Sequence, residues 1–286
     1  MVETAISKSL SQYHEMIRDC ISNIDEAVEA ELNRYKKFSF HEPLLYALKG
    51  GKRIRPLLLI LSADSIGRRN EDPYPAAIAV ELSHTESLIH DDLIDGDSNR
   101  RGRGSFHIRF GQHLGILSAD FVLAMILNLI SKYEDPRIGE EFALAACKMC
   151  EGELVEINTR NNVKNLDWET YLDIIEKKTA SSFYASAKIG AILGGGEEWE
   201  IESLSGYGKL LGMAYQMKDD SLDWDGKKEV ANELVALPKG VDIPNHLRKM
   251  AEDYSAKAKK KLSPLKDSRA KMSLLSLSDY VVQRDS

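Results

Sequence analysis

Apolar residues along this chain recur at spacings of three and four, and the strict alternation of a half-buried strand is scarce. Ile21, Ile24, Val28 and Leu32 mark an early amphipathic helix. In SFHEPLLYALKGG, Ser39 stands where an N-cap would, with Glu42 three residues on and Gly50-Gly51 as a stop. Further helices are expected near 56–66, 74–95, 114–132, 137–160, 167–193 and 200–224. Two more follow at about 243–262 and 266–284, the first opened by Asp242 and Pro244 and parted from the second by Ser263-Pro264. Short repeats and low-complexity linkers are absent, so the pattern predicts one all-α domain over 1–286.

Composition narrows the function classes. With 286 residues and 43% hydrophobic content the chain can bury a large core. A net charge of −7 and a pI near 5.6 argue against a nucleic-acid-binding surface, which needs a dominant basic face. Anions would be held only in a local basic pocket. The longest apolar run, FVLAMILNLI, is too short to span a bilayer, and no N-terminal stretch reads as a leader, so a cytoplasmic chain without stable membrane insertion is expected. Cys20, Cys147 and Cys150 make no disulfide framework. CKMC has metal-ligand spacing but lacks a second pair, and two small residues on a helix account for it.

Charge then becomes specific. SLIHDDLIDGD packs Asp91, Asp92, Asp95 and Asp97 behind an apolar pair. On a helix Asp91 and Asp95 share a face, where like charges cost roughly 0.2–0.5 kcal/mol. Solvated surface is the simplest reading of one such cluster. A second, DDSLD at 219–223, repeats the spacing at the far end of another helix and makes that reading harder to hold. Two facing carboxylate pairs suit a hard divalent cation, and magnesium in particular takes a few carboxylates plus substrate phosphates. An EF-hand is excluded, because the twelfth position counted from Asp91 or Asp92 is Gly102 or Arg103 instead of glutamate. His84 and Ser87 project near the Asp91 face of the helical wheel, whereas His90 is one step off.

Basic residues surround these clusters. GGKRIRP supplies Lys52, Arg53 and Arg55, and NRRGRG supplies Arg100, Arg101 and Arg103. The arginine fork suits phosphate oxygens. GGKRIRP is not a P-loop, since Tyr46 stands at the first glycine position and Arg53 follows the lysine.

Taken together, GGKRIRP, HTESLIHDDLID, RRGRGSFH, EKKTA and YQMKDDSLDW resemble the trans-isoprenyl diphosphate synthase family, in order and through nearly the whole chain. The resemblance implies a helical bundle around a deep central cavity, usually in a homodimer, with the aspartate motifs facing each other. It implies that Asp91, Asp95, Asp219 and Asp223 bind magnesium bridged to an allylic diphosphate, with Asp92 and Asp220 supporting. Lys52, Arg55, His84 and Arg101 match positions that hold isopentenyl diphosphate, and Arg100, Lys178 and Gln216 those on the allylic substrate. Thr179 falls beside the developing carbocation. The implied reaction lengthens an allylic diphosphate by one isoprene unit and releases diphosphate.

This sequence departs from the family pattern in three places. The segment DGKKEVANELVALPKG is short, leaving only Lys227 or Lys228 to replace the family's closing lysines; Tyr215 replaces phenylalanine, and Glu153 replaces glutamine. The resemblance places the floor of the growing chain's pocket at Ser87 and Glu86. A short product, geranylgeranyl or farnesyl diphosphate, is expected, with Glu86 turned toward a neighbouring helix or subunit and Phe121 or Met125 setting the stop. A class I terpene cyclase shares the first motif but not DDSLD or GGKRIRP, and a noncatalytic partner subunit would tolerate the shortened loop.

Overall fold

The structure is a computed structural model that describes residues 2–68, 71–161, 167–224 and 242–284, and among them it is built almost wholly of helix. Two helices are buried nearly all round: α3 (Ile54–Ile66) and α9 (Ser181–Leu193). Their sequences carry few charges, IRPLLLILSADSI and SSFYASAKIGAIL, as expected of helices that present no face to water. They pack on each other at the centre, α9 also lies along α10 (Glu198–Leu222), and α10 is flanked by α11 (Ile243–Lys261). On the other side, α4 (Tyr74–Asp95) packs on α3 and on α6 (Gln112–Ile130), while α7 (Pro136–Asn161) packs on α9. The helices α1 (Val2–Asn33), α2 (His41–Leu48) and α12 (Arg269–Gln283) close the outside. Ile24, Leu44, Leu57, Leu82, Phe183 and Leu211 are fully buried in the shared core, each worth roughly 1.5–3 kcal/mol of transfer free energy.

Several expected boundaries shift for local reasons. The helix read as 167–193 is interrupted: α8 (Trp168–Ile175) passes into a π-helical turn, Glu176–Ala180, before α9 begins. Ser39 does not cap α2, whose N-cap is Phe40 with no side-chain hydrogen bond. Asp242 does cap α11, accepting from the Asn245 amide, and Pro244 lies in its first turn. A two-stranded hairpin, β1 (Asn99–Arg100) with β2 (Arg103–Gly104), and the short α5 (Phe106–Phe110) stand where no element was expected.

The largest difference concerns α6. Counted as an uninterrupted apolar run the segment is short, yet as a 19-residue helix it is long and apolar enough to cross a membrane. One face, including Val122, Met125, Ile126 and Leu129, is buried in the bundle. The opposite face leaves Ile116, Leu117, Leu123 and Leu127 exposed.

Candidate active site

Both acidic clusters lie at the C-terminal ends of their helices, α4 and α10, where the helix dipole already disfavours negative charge. Gly96, at φ 66, ends α4 in the left-handed conformation that glycine tolerates. Protein cations offset the accumulated charge. Arg100 Nε donates to Asp92 Oδ1 at 2.5 Å, and Arg160 Nη1 donates to Asp95 Oδ1 at 2.6 Å. Asp91 faces Lys178 Nζ at 3.9 Å. On α10, Asp219 Oδ1 accepts from Arg284 Nη2 at 2.6 Å, and the Arg284 guanidinium lies 4.1 Å over the Tyr215 ring. Burial pushes the Asp91 carboxyl up to about 7 against the pull of Lys178. Burial likewise raises Asp219, with Arg284 and Lys52 opposing. Asp223, the C-cap of α10, is exposed.

The π-helical turn joins the two clusters. Its adjacent residues reach opposite ways: Lys178 toward Asp91 on α4, and Thr179 toward α10, where its hydroxyl donates to Gln216 Oε1 at 2.8 Å. Gln216 Nε2 donates to Asp220 Oδ1 at 2.8 Å, and the Tyr171 hydroxyl donates to the other oxygen of Asp220. Consecutive side chains on a helix already diverge by about 100°, which lets these two reach different partners, and single π turns of this kind gather at functional sites. Gly152 lets α7 come this close. A Cβ there would stand 2.6 Å from the Lys178 amide nitrogen.

A basic cluster adjoins the acids. Arg55 is buried, donates from Nε to Ser182 Oγ at 2.9 Å, and lies 4.8 Å over the Phe183 ring. Burial, and then the charges of Arg55, Arg101, Arg100 and Arg53, hold the His84 imidazole well below its ordinary pKa, so it is neutral. Arg101 occupies the left-handed region at φ 52, next to Gly102 at φ 72, within the tight β1–β2 turn. A non-glycine residue held there stores strain of order 1–3 kcal/mol, which is typical of functional loops. Lys52 is exposed at the edge of this cluster and within electrostatic reach of Asp219. Two expected phosphate-side arginines are used otherwise: Arg53 bonds Asp25, Glu81 and the Leu48 carbonyl, and Arg103 bonds the Tyr46 and Lys49 carbonyls.

Beyond Arg55 and His84 a narrow cleft lies between α4, α7 and α9. Its walls are mostly apolar, with Val80, Phe142, Ala145, Ala146, Met149 and Ala185 among them. Phe121 is not in that lining; it stacks on Phe40 with ring centroids 4.5 Å apart. Met125 is buried in the core between α6 and its neighbours and does not line the cleft either.

A sequence model described as polyprenyl synthetase matches residues 38–237, a span that holds both acidic clusters, the basic cluster and the π-helical turn. The chain belongs to the polyprenyl synthetase family. The synthetase is 30% identical to the geranylgeranyl diphosphate synthase of Methanosarcina mazei, over 94% of this chain and 97% of that protein. It is 34% identical to a short chain isoprenyl diphosphate synthase of Methanocaldococcus jannaschii, over 81% of this chain and 74% of that one. Its fold matches a Caulobacter crescentus polyprenyl synthase, crystallised with calcium and isoprenyl diphosphate, at a TM-score of 0.85 and 25% identity, covering 96% of this chain and 98% of that one. The synthetase is accordingly a trans-prenyltransferase of all-α fold.

Several groups of the synthetase's site are not apparent from the aspartate motifs. Glu153, Glu156 and Arg160 lie on one face of α7 at helical spacings, a signal present in GELVEINTR. Tyr171 and Arg284 come from remote segments and carry no local signal. Lys227 and Lys228 lie outside the described residues.

Proposed function

We propose that this synthetase condenses isopentenyl diphosphate with an allylic diphosphate, with magnesium as its cofactor, to make geranylgeranyl or farnesyl diphosphate. The observation that carries this reading is the π-helical turn, whose Lys178 and Thr179 connect two acidic helix ends beside a basic cluster and an apolar cleft. Among the described residues no three His, Cys, Asp or Glu side chains form a ready-made coordination sphere. Pairs of carboxylates, Asp91 with Asp95 and Asp219 with Asp223, fit magnesium, which completes its shell with phosphate oxygens and water. Bound there, the metal would neutralise charge developing on the departing diphosphate.

The protein's own groups do the rest. Lys178, Arg100 and Gln216 orient the allylic diphosphate, and Lys52, Arg55, His84 and Arg101 hold isopentenyl diphosphate, with Asp92 and Asp220 supporting the acids. As the allylic carbon–oxygen bond breaks, the oxygens of Thr179 and Gln216 present their dipoles to the carbocation. The double bond of isopentenyl diphosphate attacks that carbon, a carbon–carbon bond forms, and the proton lost from the adduct passes to the released diphosphate. The apolar cleft keeps water from the cation and receives the tail. Phe142 and Met149 stand in its wall and would set the stop.

We read the chain as one domain over 1–286, working in the cytoplasm as a homodimer. The exposed Ile116, Leu117, Leu123 and Leu127 of α6 offer an apolar face for the second copy. The test is incubation of the purified chain alone with magnesium, isopentenyl diphosphate and each allylic primer, followed by sizing of the product. Linear prenyl diphosphates of fifteen or twenty carbons are expected. Cyclic hydrocarbon would favour a class I terpene cyclase, and no product without another subunit would favour a noncatalytic partner. Arg55→Ala should raise mainly the KM for isopentenyl diphosphate and Lys178→Ala that for the allylic substrate; the reverse would cross the assignment.

A further inference from the structure

Lys178 is the only described cation placed against three carboxylates at once. Its Nζ lies 2.5 Å from Glu153 Oε2, 2.8 Å from Glu156 Oε2 and 3.9 Å from Asp91 Oδ1. The two glutamates sit on the same face of α7, and Gly152 allows that face to press on the π-helical turn carrying the lysine. Glu156 shares its charge with Arg160, which reaches on to Asp95. Glu153 is different. Its Oε2 meets the Lys178 ammonium at 2.5 Å while its buried Oε1 has no hydrogen-bond partner, so that ammonium is the nearest charge compensating it. A buried carboxylate left with so little support is costly, and its neighbour is correspondingly hard to pull away.

We propose that Glu153 is a positioning residue that holds the Lys178 ammonium on the α7 side of the site, back from Asp91, and so weakens the hold on the allylic diphosphate. Two glutamates outweigh one aspartate for the lysine, and a diphosphate arriving at Asp91 must compete with both. An amide at this position would keep the shape and could still accept from Lys178, but it would release the ammonium from a full negative charge. Glu153 therefore sets allylic affinity without touching the reacting carbon. The inference rests on the reading of Lys178 as an allylic-diphosphate ligand.

The experiment is a double-mutant cycle on the full chain. Glu153→Gln, Lys178→Met and the pair are titrated, with magnesium, against geranyl thiodiphosphate, an allylic analogue that resists ionisation. Steady-state KM values for both substrates are measured alongside. Glu153→Gln should tighten the analogue about fivefold or more, lower the allylic KM and leave the KM for isopentenyl diphosphate unchanged, while in the Lys178→Met background the same change should have no effect. Glu153→Asp, which keeps the charge, should stay close to the parent protein. Unchanged or weaker binding in Glu153→Gln, or an equal gain without Lys178, would overturn the proposal. A parent protein that binds the analogue but transfers no prenyl group would count against the proposed function, with the Glu153 comparison still readable.

Discussion

Glu86 lies on α4 just before the first acidic cluster, and replacing it with glutamine tests how this part of the bundle tolerates charge. Burial pushes its carboxyl from the usual 4.5 up to about 7, and Asp120 on α6 adds to the rise. Its charge also raises the Cys150 thiol on α7. The folded protein thus holds a proton on Glu86 that the unfolded chain releases near 4.5. Stability contributed by that proton is present below 4.5 and lost as pH rises through 7. With each tenfold change in acidity worth ~1.4 kcal/mol, the loss above pH 7 is about 3 kcal/mol, and partial solvent access brings it nearer ~2.

Glutamine fills the same space and cannot ionise. Glu86→Gln should therefore be more stable than the parent by about 2 kcal/mol at pH 8, with the gain falling below ~1 kcal/mol at pH 5. Urea denaturation followed by far-ultraviolet circular dichroism at the two pH values measures both. Equal stability at pH 8, or a gain that grows toward pH 5, would refute the reasoning. Because Glu86 does not line the apolar cleft, product length should not change in this variant.

Other consequences follow from close packing. Gly152→Ala would place its methyl carbon 2.6 Å from the Lys178 amide nitrogen, and it should cost about 1–3 kcal/mol in urea denaturation and lower kcat by displacing the π-helical turn. Phe142→Ala should lengthen the prenyl product by at least one isoprene unit, read by chromatography of the dephosphorylated alcohols, whereas Ala146→Phe, in the same wall, should shorten it; unchanged products in both would remove the cleft as the tail's path.

The helices were legible because apolar spacing survives any detail of packing: Ile24, Val28 and Leu32 are buried along one side of α1, as their spacing predicts. The acidic clusters were legible because the same carboxylate spacing recurs at the ends of two helices, which solvated surface does not account for. What could not be read depends on distant partners. The π-helical turn packs closely on α7 at Gly152, and nothing within EKKTA announces that contact. Arg53 and Arg103 look like phosphate ligands in sequence, yet Glu81 and the Tyr46 carbonyl, each remote in the chain, claim them. Ser39 failed as a cap because the turn from Phe38 to His41 makes Phe40 the residue that leads into α2. Phe121, expected as a stop, stacks on Phe40 and is not among the residues lining the cleft, a contact that nothing near it in the sequence announces.

The central claim is that acids on the two helix ends, α4 and α10, act together in ionising the allylic diphosphate. Turnover of Asp91→Ala and of Asp219→Ala, each measured with saturating magnesium and both substrates alongside circular dichroism, tests it most directly. Each change should lower kcat by about a thousandfold or more with helical content intact. Near-normal turnover in either folded variant would contradict the account.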